Sequence, residues 1–348
     1  MTISQQQRCR VVACVLVMLV GAQQSSGQEL TIGIIDFYGL GRVSEREVRL
    51  ALTVKEGDKV SFDADERPAF LAPSERRLST IPGVARAHLN LTCCEEGRAI
   101  VYVGIEEKGR AGMTFRPAPT GKARLPVDVI EEGKNFDMAL MAAVQRGDAA
   151  EDDSQGHALF HDPATRAIQQ RFVGYAARDL AQLRLVLRES SDPGQRALAA
   201  QVLGYVADKD RVIGDLAHAM SDSDEDVRNN AMRALAVFAN AAPAARPKAP
   251  IPYDGFIALL NSPVWTDRNK ASLALFRLSE LREPRLLEQL RREALVPLVE
   301  MARWKSPGHA APGLTILARI AGLSDDVAAS ASTPAEREAV IKAALDRK

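Results

Sequence analysis

Apolar positions in the C-terminal part of the chain recur three and four residues apart, which predicts amphipathic helices in consecutive pairs. The first helices of the pairs are predicted over residues 179–189, 211–220, 253–260 and 294–304. The second helices share the spacing Arg-x-x-Ala-x-x-x-Leu. Its full copies are Arg196, Ala199 and Leu203; Arg228, Ala231 and Leu235; and Arg268, Ala271 and Leu275. These copies begin roughly 30 to 40 residues apart, a period typical of stacked helical repeats.

Further helices extend this region at both ends. An apolar face of Phe136, Leu140, Met141 and Val144 predicts a helix over residues 133–146, and Thr333 is placed to cap a last helix over residues 334–348. A degraded repeat copy has Ala310, Gly313 and Leu317 in the matching positions. We therefore predict one helical domain over residues 133–348, in which Ala lets neighbouring helices approach and Leu fills the space between repeats.

The most complete copy begins Asp226-Val227-Arg228 and continues to Ala231 and Leu235. It resembles the short bacterial HEAT repeat, a form also found in proteins similar to phycobilin lyases. The resemblance implies that Asp226 and Arg228, and the partial pair Asp267 and Arg268, tie adjacent repeats together. It also implies an all-α solenoid, an architecture that serves many functions.

The N-terminal part has a different pattern. Alternation predicts a strand over residues 30–38, and Ser44 with Glu47 three positions later is a capping box that predicts a helix start. A second helix is predicted over residues 73–80, and a hairpin over residues 84–92 and 99–107. The result is a β-α-α-β-β module over residues 29–109.

This module resembles a POTRA domain, through Ile34-Ile35-Asp36-Phe37, the segment LSTIPGVARA at residues 78–87, and Val103-Gly104-Ile105. The resemblance implies a periplasmic module that meets partners by pairing an edge strand with an extended segment. Residues 110–132, with Pro117 and Pro119, are predicted to be a semi-extended linker. The predicted fold class is thus an α+β module followed by an all-α solenoid.

The first 22 residues have the layout of a secretory signal peptide. Arg8 and Arg10 precede an apolar run at residues 11–20, and cleavage is expected after Ala22. The run is shorter than the roughly 20 residues of a membrane-spanning helix. We therefore expect a periplasmic or otherwise exported protein, with an uncleaved N-terminal membrane anchor as the alternative.

After cleavage the chain keeps Cys93 and Cys94, which are adjacent. Two structural thiols are the preferred interpretation, since a bond between neighbouring cysteines is uncommon. A disulfide formed in an oxidising compartment, or a metal or redox role, stays open.

Three motifs imitate ligand sites. Gly39-x-Gly41-x-x-Ser44 follows a strand as a dinucleotide-binding turn does, but no second strand ending in an acid follows at the usual distance. His157 and His161 would share one side of a helix, although capping or structural roles are preferred because metal binding needs a third ligand.

Asp222, Asp224 and Asp226 imitate the start of a calcium loop. Val227 and Arg233 occupy its required glycine and final carboxylate positions, so helix capping is preferred. Trp265 and Trp304 are interpreted as core residues rather than binding anchors, and residues 241–252 as a spacer rather than a contact loop.

Charge is balanced at 45 basic and 45 acidic residues, so no basic field favours nucleic acid. No spacing predicts catalytic, cofactor-binding or metal-binding residues. We therefore predict an exported, non-enzymatic scaffold of the bacterial cell envelope that binds protein partners, envelope membrane proteins among those expected. The alternatives are a lyase-type enzyme, which an export signal disfavours, and a component of an outer-membrane assembly or secretion machine.

Overall fold

The computed structural model describes residues 28–62, 67–110, 113–148 and 150–347. Its N-terminal elements are β1 (Gln28–Tyr38), α1 (Glu45–Ala51), β2 (Lys59–Phe62), α2 (Leu71–Leu78), β3 (Val84–Glu95) and β4 (Arg98–Glu107). They form a mixed sheet in the order β2-β1-β4-β3, in which β1 is parallel to β4 and the other neighbours are antiparallel. A small sheet region is therefore present, whereas membership of the POTRA family stays a prediction.

Local sequence explains why this region folds as it does. The Ser44 hydroxyl accepts from the Glu47 amide while the Glu47 carboxylate accepts from the Ser44 amide, so α1 begins with the predicted capping box. Helices α1 and α2 bury Val48, Leu71 and Leu78 against one face of the sheet. Strand β2 was not predicted, because its pairing with β1 is a tertiary contact that short-range pattern does not reveal.

The second region begins with α3 (Val127–Gln145) and a short hairpin of β5 (Glu151–Asp152) and β6 (Leu159–Phe160). The helices that follow are α4 (Pro163–Arg178), α5 (Leu180–Glu189), α6 (Pro193–Leu203), α7 (Ile213–Ala219), α8 (Glu225–Asn240), α9 (Asp254–Leu259), α10 (Trp265–Leu278), α11 (Pro284–Glu293), α12 (Leu295–Ala302), α13 (Pro307–Ala321), α14 (Asp325–Ser330) and α15 (Pro334–Asp346).

The predicted pairs are α5 with α6, α7 with α8, α9 with α10 and α12 with α13. Their second helices pack in sequence, α6 on α8, α8 on α10 and α10 on α13, as a solenoid-like array does. The repeat alanines and leucines lie in the shared core: Ala199, Leu203, Ala231, Leu235, Ala271 and Leu275. Helices α11 and α14 were not predicted, and α11 packs its buried Leu286 and Leu290 within the array.

The opposite face of the sheet packs against the array. Tyr38, Ile100 and Tyr102 join the core of the helical region. The Tyr38 hydroxyl donates to the carbonyl of Pro263 at 2.8 Å, and the Lys305 amide donates to the carboxylate of Asp36 at 2.8 Å. The sheet therefore lies on the loops that precede the second helices, and the two regions share an interface instead of being separate modules.

The segment between them is also attached. The Arg116 amide donates to the carbonyl of Ser221 at 2.8 Å, and the Ser191 amide donates to the carbonyl of Gly121 at 2.8 Å. Helix α3 begins at Val127, inside the predicted linker, because Pro126 fits the position just before a helix. The connection follows the same loop edge of the array as the sheet.

The predicted signal peptide lies outside the described residues. Within the part of the chain that the structure describes, none of the helices combines the length and the apolar character needed to cross a bilayer.

Candidate functional site: a groove beside a row of buried arginines

The repeat arginines form a row beneath the loop edge, here called the arginine row (Arg196, Arg228 and Arg268). Each pairs with a carboxylate of the next repeat. The pairs are Arg196–Asp222 at 2.8 Å, Arg228–Asp267 at 2.9 Å and Arg268–Glu300 at 2.6 Å. Each guanidinium also donates to a carbonyl in the loop before its own helix. These side chains connect adjacent repeats, which is a structural role.

The position of the acid corrects one prediction. Asp226, expected to tie repeats together, lies exposed in the first turn of α8, and Asp222 holds Arg196 instead. The reason is that Asp222 sits in the loop facing the previous repeat, whereas the helix turns Asp226 away. Asp224 caps α8 by accepting from the amides of Asp226 and Val227, as the capping interpretation expects.

Aromatic residues from the part of the chain before α3 cover two members of the arginine row. The guanidinium carbon of Arg228 lies 3.8 Å from the ring centroid of Phe115, and that of Arg268 lies 4.4 Å from the ring centroid of Tyr38. Cations over aromatic faces are attracted by the ring quadrupole, most strongly where water is excluded. Burial raises the pKa of Tyr38, so its hydroxyl stays a donor.

Trp265 and Trp304 lie in the same interface. The ring of Tyr102 stacks on Trp265 with centroids 5.0 Å apart and contacts Trp304 with centroids 4.9 Å apart. Both tryptophans are buried, which agrees with their interpretation as core residues.

The glycine-containing turn after β1 binds the carboxylate of Glu107. One carboxylate oxygen of Glu107 accepts from the amides of Gly41, Arg42 and Val43, each at 2.8 Å. Burial favours a higher pKa for Glu107, but the amide donors outweigh it and hold that pKa below its usual range. The donors that a phosphate group would meet are therefore occupied.

The two histidines lie on the β5–β6 hairpin rather than on a helix. His157 stacks on Tyr205 with ring centroids 5.9 Å apart, while His161 is exposed. Asp162 caps α4 by accepting from the Thr165 amide at 2.8 Å. Among the described residues, no group of three or more histidine, cysteine or acidic side chains is arranged to hold a metal ion.

Cys93 and Cys94 are joined as a disulfide where β3 ends, and both are exposed. The preferred interpretation, two structural thiols, is therefore wrong, and the disulfide, which was the alternative, is present.

A groove opens between α3 and the second helices α6 and α8, with a volume of about 860 Å³. Its α3 wall combines the apolar residues Ile130, Leu140 and Val144 with the charged residues Lys134 and Asp137. Val144 is 50% exposed, since the helix presents more apolar surface than the array covers. Volumes of this size are typical of ligand sites, which combine apolar walls with a few placed polar groups.

The second helices contribute much of the polar lining of the groove, namely Gln201, Asn229, Asn230, Arg233 and Lys270. The amide nitrogen of Asn230 donates to the carbonyl of Ala197 at 3.0 Å, which fixes its orientation. Arg233 pairs with Glu151 of the hairpin. The second helices thus supply both the repeat core and the floor of the groove.

The sequence predicted the apolar face of α3 but not that part of it stays uncovered. Asn229 and Asn230 lie inside the repeat spacing, between Arg228 and Ala231, at positions that the spacing leaves unspecified. The sequence feature that could have indicated the groove is that α3 has more apolar residues than its packing face needs.

Comparison with known protein families found a match, which covers part of the helical array. Residues 180–275, from α5 to α10, match the family model for HEAT repeats. A search of curated proteins found no match. The helical repeat array is therefore supported both by the observed packing and by this match.

Solved structures of designed armadillo repeat proteins were also found. One is 16% identical, covers 53% of this chain and 92% of its own, and has a TM-score of 0.36. A second, designed for modular peptide recognition, is 16% identical, covers 63% and 98%, and scores 0.38. A third, in complex with the peptide (KR)4, is 16% identical, covers 63% and 96%, and scores 0.37. Alignments this distant do not bear on what this chain binds.

Proposed function

We propose that this protein is a non-enzymatic scaffold that holds an extended segment of a partner protein in the groove between α3 and the second helices. The observation that supports the proposal is the groove itself, in which apolar residues of α3 face amide and charged side chains of the second helices. An extended segment offers alternating side chains for such a wall and main-chain groups for the polar floor. Repeat arrays commonly bind partners along surfaces of this kind.

Addition of a partner strand to the sheet edge, the mode of binding that the POTRA resemblance implies, is disfavoured at β3. On β3, the strand at one end of the sheet order, the amide of Leu89 donates to the carboxylate of Glu75 at 2.7 Å. A donor that an added strand would need is therefore engaged within the chain. One face of the sheet packs on the array as well, so we assign binding to the groove.

The proposed location is the bacterial cell envelope, after export. It rests on the signal-like pattern of the first 22 residues. Fractionation of cells expressing the full chain, with N-terminal sequencing of the recovered protein, tests it. Recovery from the cytoplasm with residues 1–22 retained would contradict it.

Selection from a displayed library of random short peptides on the purified protein tests the binding proposal. We expect enriched peptides that bind the wild type and lose affinity for Val144→Arg, which places a charged side chain in the groove. Leu345→Arg on α15 is the matched control, because Leu345 is 51% exposed and does not line the groove. Equal loss of affinity in both variants, or in neither, would exclude the groove as the binding site.

A further inference from the structure

Lys270 is a cation of the groove floor that lacks a counter-ion. It lies on α10, lines the groove and is partly buried. Within the described residues its ammonium group has no hydrogen bond or ion pair, and the charges that act on it are those of Arg233, Glu151 and His309. Arg233 repels it, and Glu151 is already paired with Arg233. The ammonium group of Lys270 is therefore unpaired, in a groove whose lining also includes the carboxylates of Asp137, Asp192 and Asp226.

We propose that the groove selects segments in which an acidic side chain pairs with Lys270 and an adjacent large apolar side chain packs on α3. This inference rests on the function proposed above. A partly dehydrated cation is stabilised most by an anion brought into the same low-dielectric site. One unneutralised charge matches the single charge of an Asp or Glu side chain better than the nearly double charge of a phosphate.

The apolar half of the motif follows from the opposite wall. Leu140 and Val144 of α3 line the same groove as Lys270. At the hairpin, the guanidinium carbon of Arg233 lies 5.9 Å from the ring centroid of Phe160, another groove residue. A bound segment thus meets apolar surface and the unpaired ammonium group of Lys270 in one groove.

Burial lowers the pKa of Lys270, and the neighbouring Arg233 lowers it further. This agrees with the geometry, because a charged group without a partner is disfavoured in a partly buried site. A carboxylate beside the ammonium group would reverse this destabilisation. The side chain is therefore suited to recognise an acid rather than to support the fold.

The test uses a fluorescein-labelled peptide enriched on the wild type and a second peptide in which its acidic side chain is replaced by the carboxamide. Fluorescence anisotropy is measured for the wild type, Lys270→Met and Lys342→Met, the last being an exposed lysine on α15. We expect Lys270→Met to weaken binding of the acidic peptide by about tenfold or more, as for a charge-assisted hydrogen bond. The carboxamide peptide should bind wild type and Lys270→Met alike, and Lys342→Met should change neither.

Two results would overturn this inference while leaving the proposed function in place. One is enrichment of peptides without Asp or Glu. The other is an equal effect of Lys270→Met on the acidic and carboxamide peptides, which would indicate a general change in the groove. Failure of any peptide to bind would instead remove the proposed function and this inference together.

Discussion

Arg228 combines an ion pair to the next repeat with contacts to its own loop and to Phe115. Its guanidinium donates to both carboxylate oxygens of Asp267 at 2.9 Å and to a carbonyl of its own loop, under the ring of Phe115. Taking a guanidinium and a carboxylate out of water is costly unless their hydrogen-bonding groups are satisfied. The arginine row meets that condition, and it links each repeat to the next in a fixed register.

Arg228→Met is expected to lower the free energy of unfolding by about 3–5 kcal/mol, because it leaves the Asp267 carboxylate buried without its partner. Urea denaturation measures the change. Adding Asp267→Leu should restore much of the loss. The control Arg124→Met removes the exposed pair Arg124–Asp192 and should cost at most about 1 kcal/mol. A single variant as stable as the wild type would show that the buried pair is dispensable.

Glu107 gives a prediction about pH. Its pKa is lowered in the folded protein, so it contributes stability that is present above its unfolded pKa, near the ordinary 4.5, and lost as pH falls through the folded value. Glu107→Gln should be less stable near neutral pH by about 2 kcal/mol, since the turn amides lose a charged acceptor. Urea denaturation across pH 3 to 7 should show the difference between variant and wild type shrinking toward acid. A difference independent of pH would contradict the role assigned to the carboxylate.

At this scale the sequence identified the repeat arginines, because their spacing recurs, but it misassigned the acid. Of the two acids that the resemblance named, Asp267 does join repeats, through Arg228, but Asp226 does not. At the preceding junction Arg196 is held by Asp222 from the loop. Which acid faces the previous repeat depends on the loop path, and spacing along one helix does not encode that path. The sequence does not single out Lys270 either, because its proposed role depends on the absence of a carboxylate beside its ammonium group in the fold.

At the scale of elements, the contact between the sheet and the loops of the array is the feature that separates this structure from two linked modules. Gly104 of β4 lies where the strand meets the loop at Pro263. A Cβ added there would collide with the Pro263 carbonyl and lie 2.6 Å from the ring of Tyr38. The close approach of the two backbones therefore requires glycine at this position.

Gly104→Ala is expected to lower the free energy of unfolding by about 1–3 kcal/mol through overpacking. It should also increase proteolysis within residues 113–126, because that segment is attached along the same edge. Gly174→Ala is the matched control: Gly174 lies in α4 with nothing within 4 Å of an added Cβ. It should be neutral or slightly stabilising. Equal behaviour of the two variants in denaturation and limited proteolysis would contradict the packed interface.

The sequence predicted most elements because their signals are local. Capping boxes at Ser44 and Thr333 mark helix starts that the structure confirms. The start of α3 inside the predicted linker, the pairing of β2 and the docking of the sheet were missed. Each of these depends on contacts between distant parts of the chain, which periodicity and turn residues do not report.

At the scale of the whole molecule, the described residues divide the array into a covered and an open part. The sheet and residues 113–126 cover the loop edge from Ser190 to His309, whereas the groove by α3, α6 and α8 stays open. The open surface left by the repeats is the feature on which the proposed binding role rests. Repeat spacing predicted that architecture, but it did not predict which surface would remain accessible.

Photocrosslinking in cells that express the protein tests this division most directly. A benzophenone side chain replaces Val144 in the groove, Thr92 on β3, or Leu345 on α15, and the adducts are identified by mass spectrometry. The expected result is one partner protein captured at Val144, competed by excess selected peptide, and absent at Leu345. Capture of the same partner at Thr92 and not at Val144 would show that the sheet, rather than the groove, holds the partner.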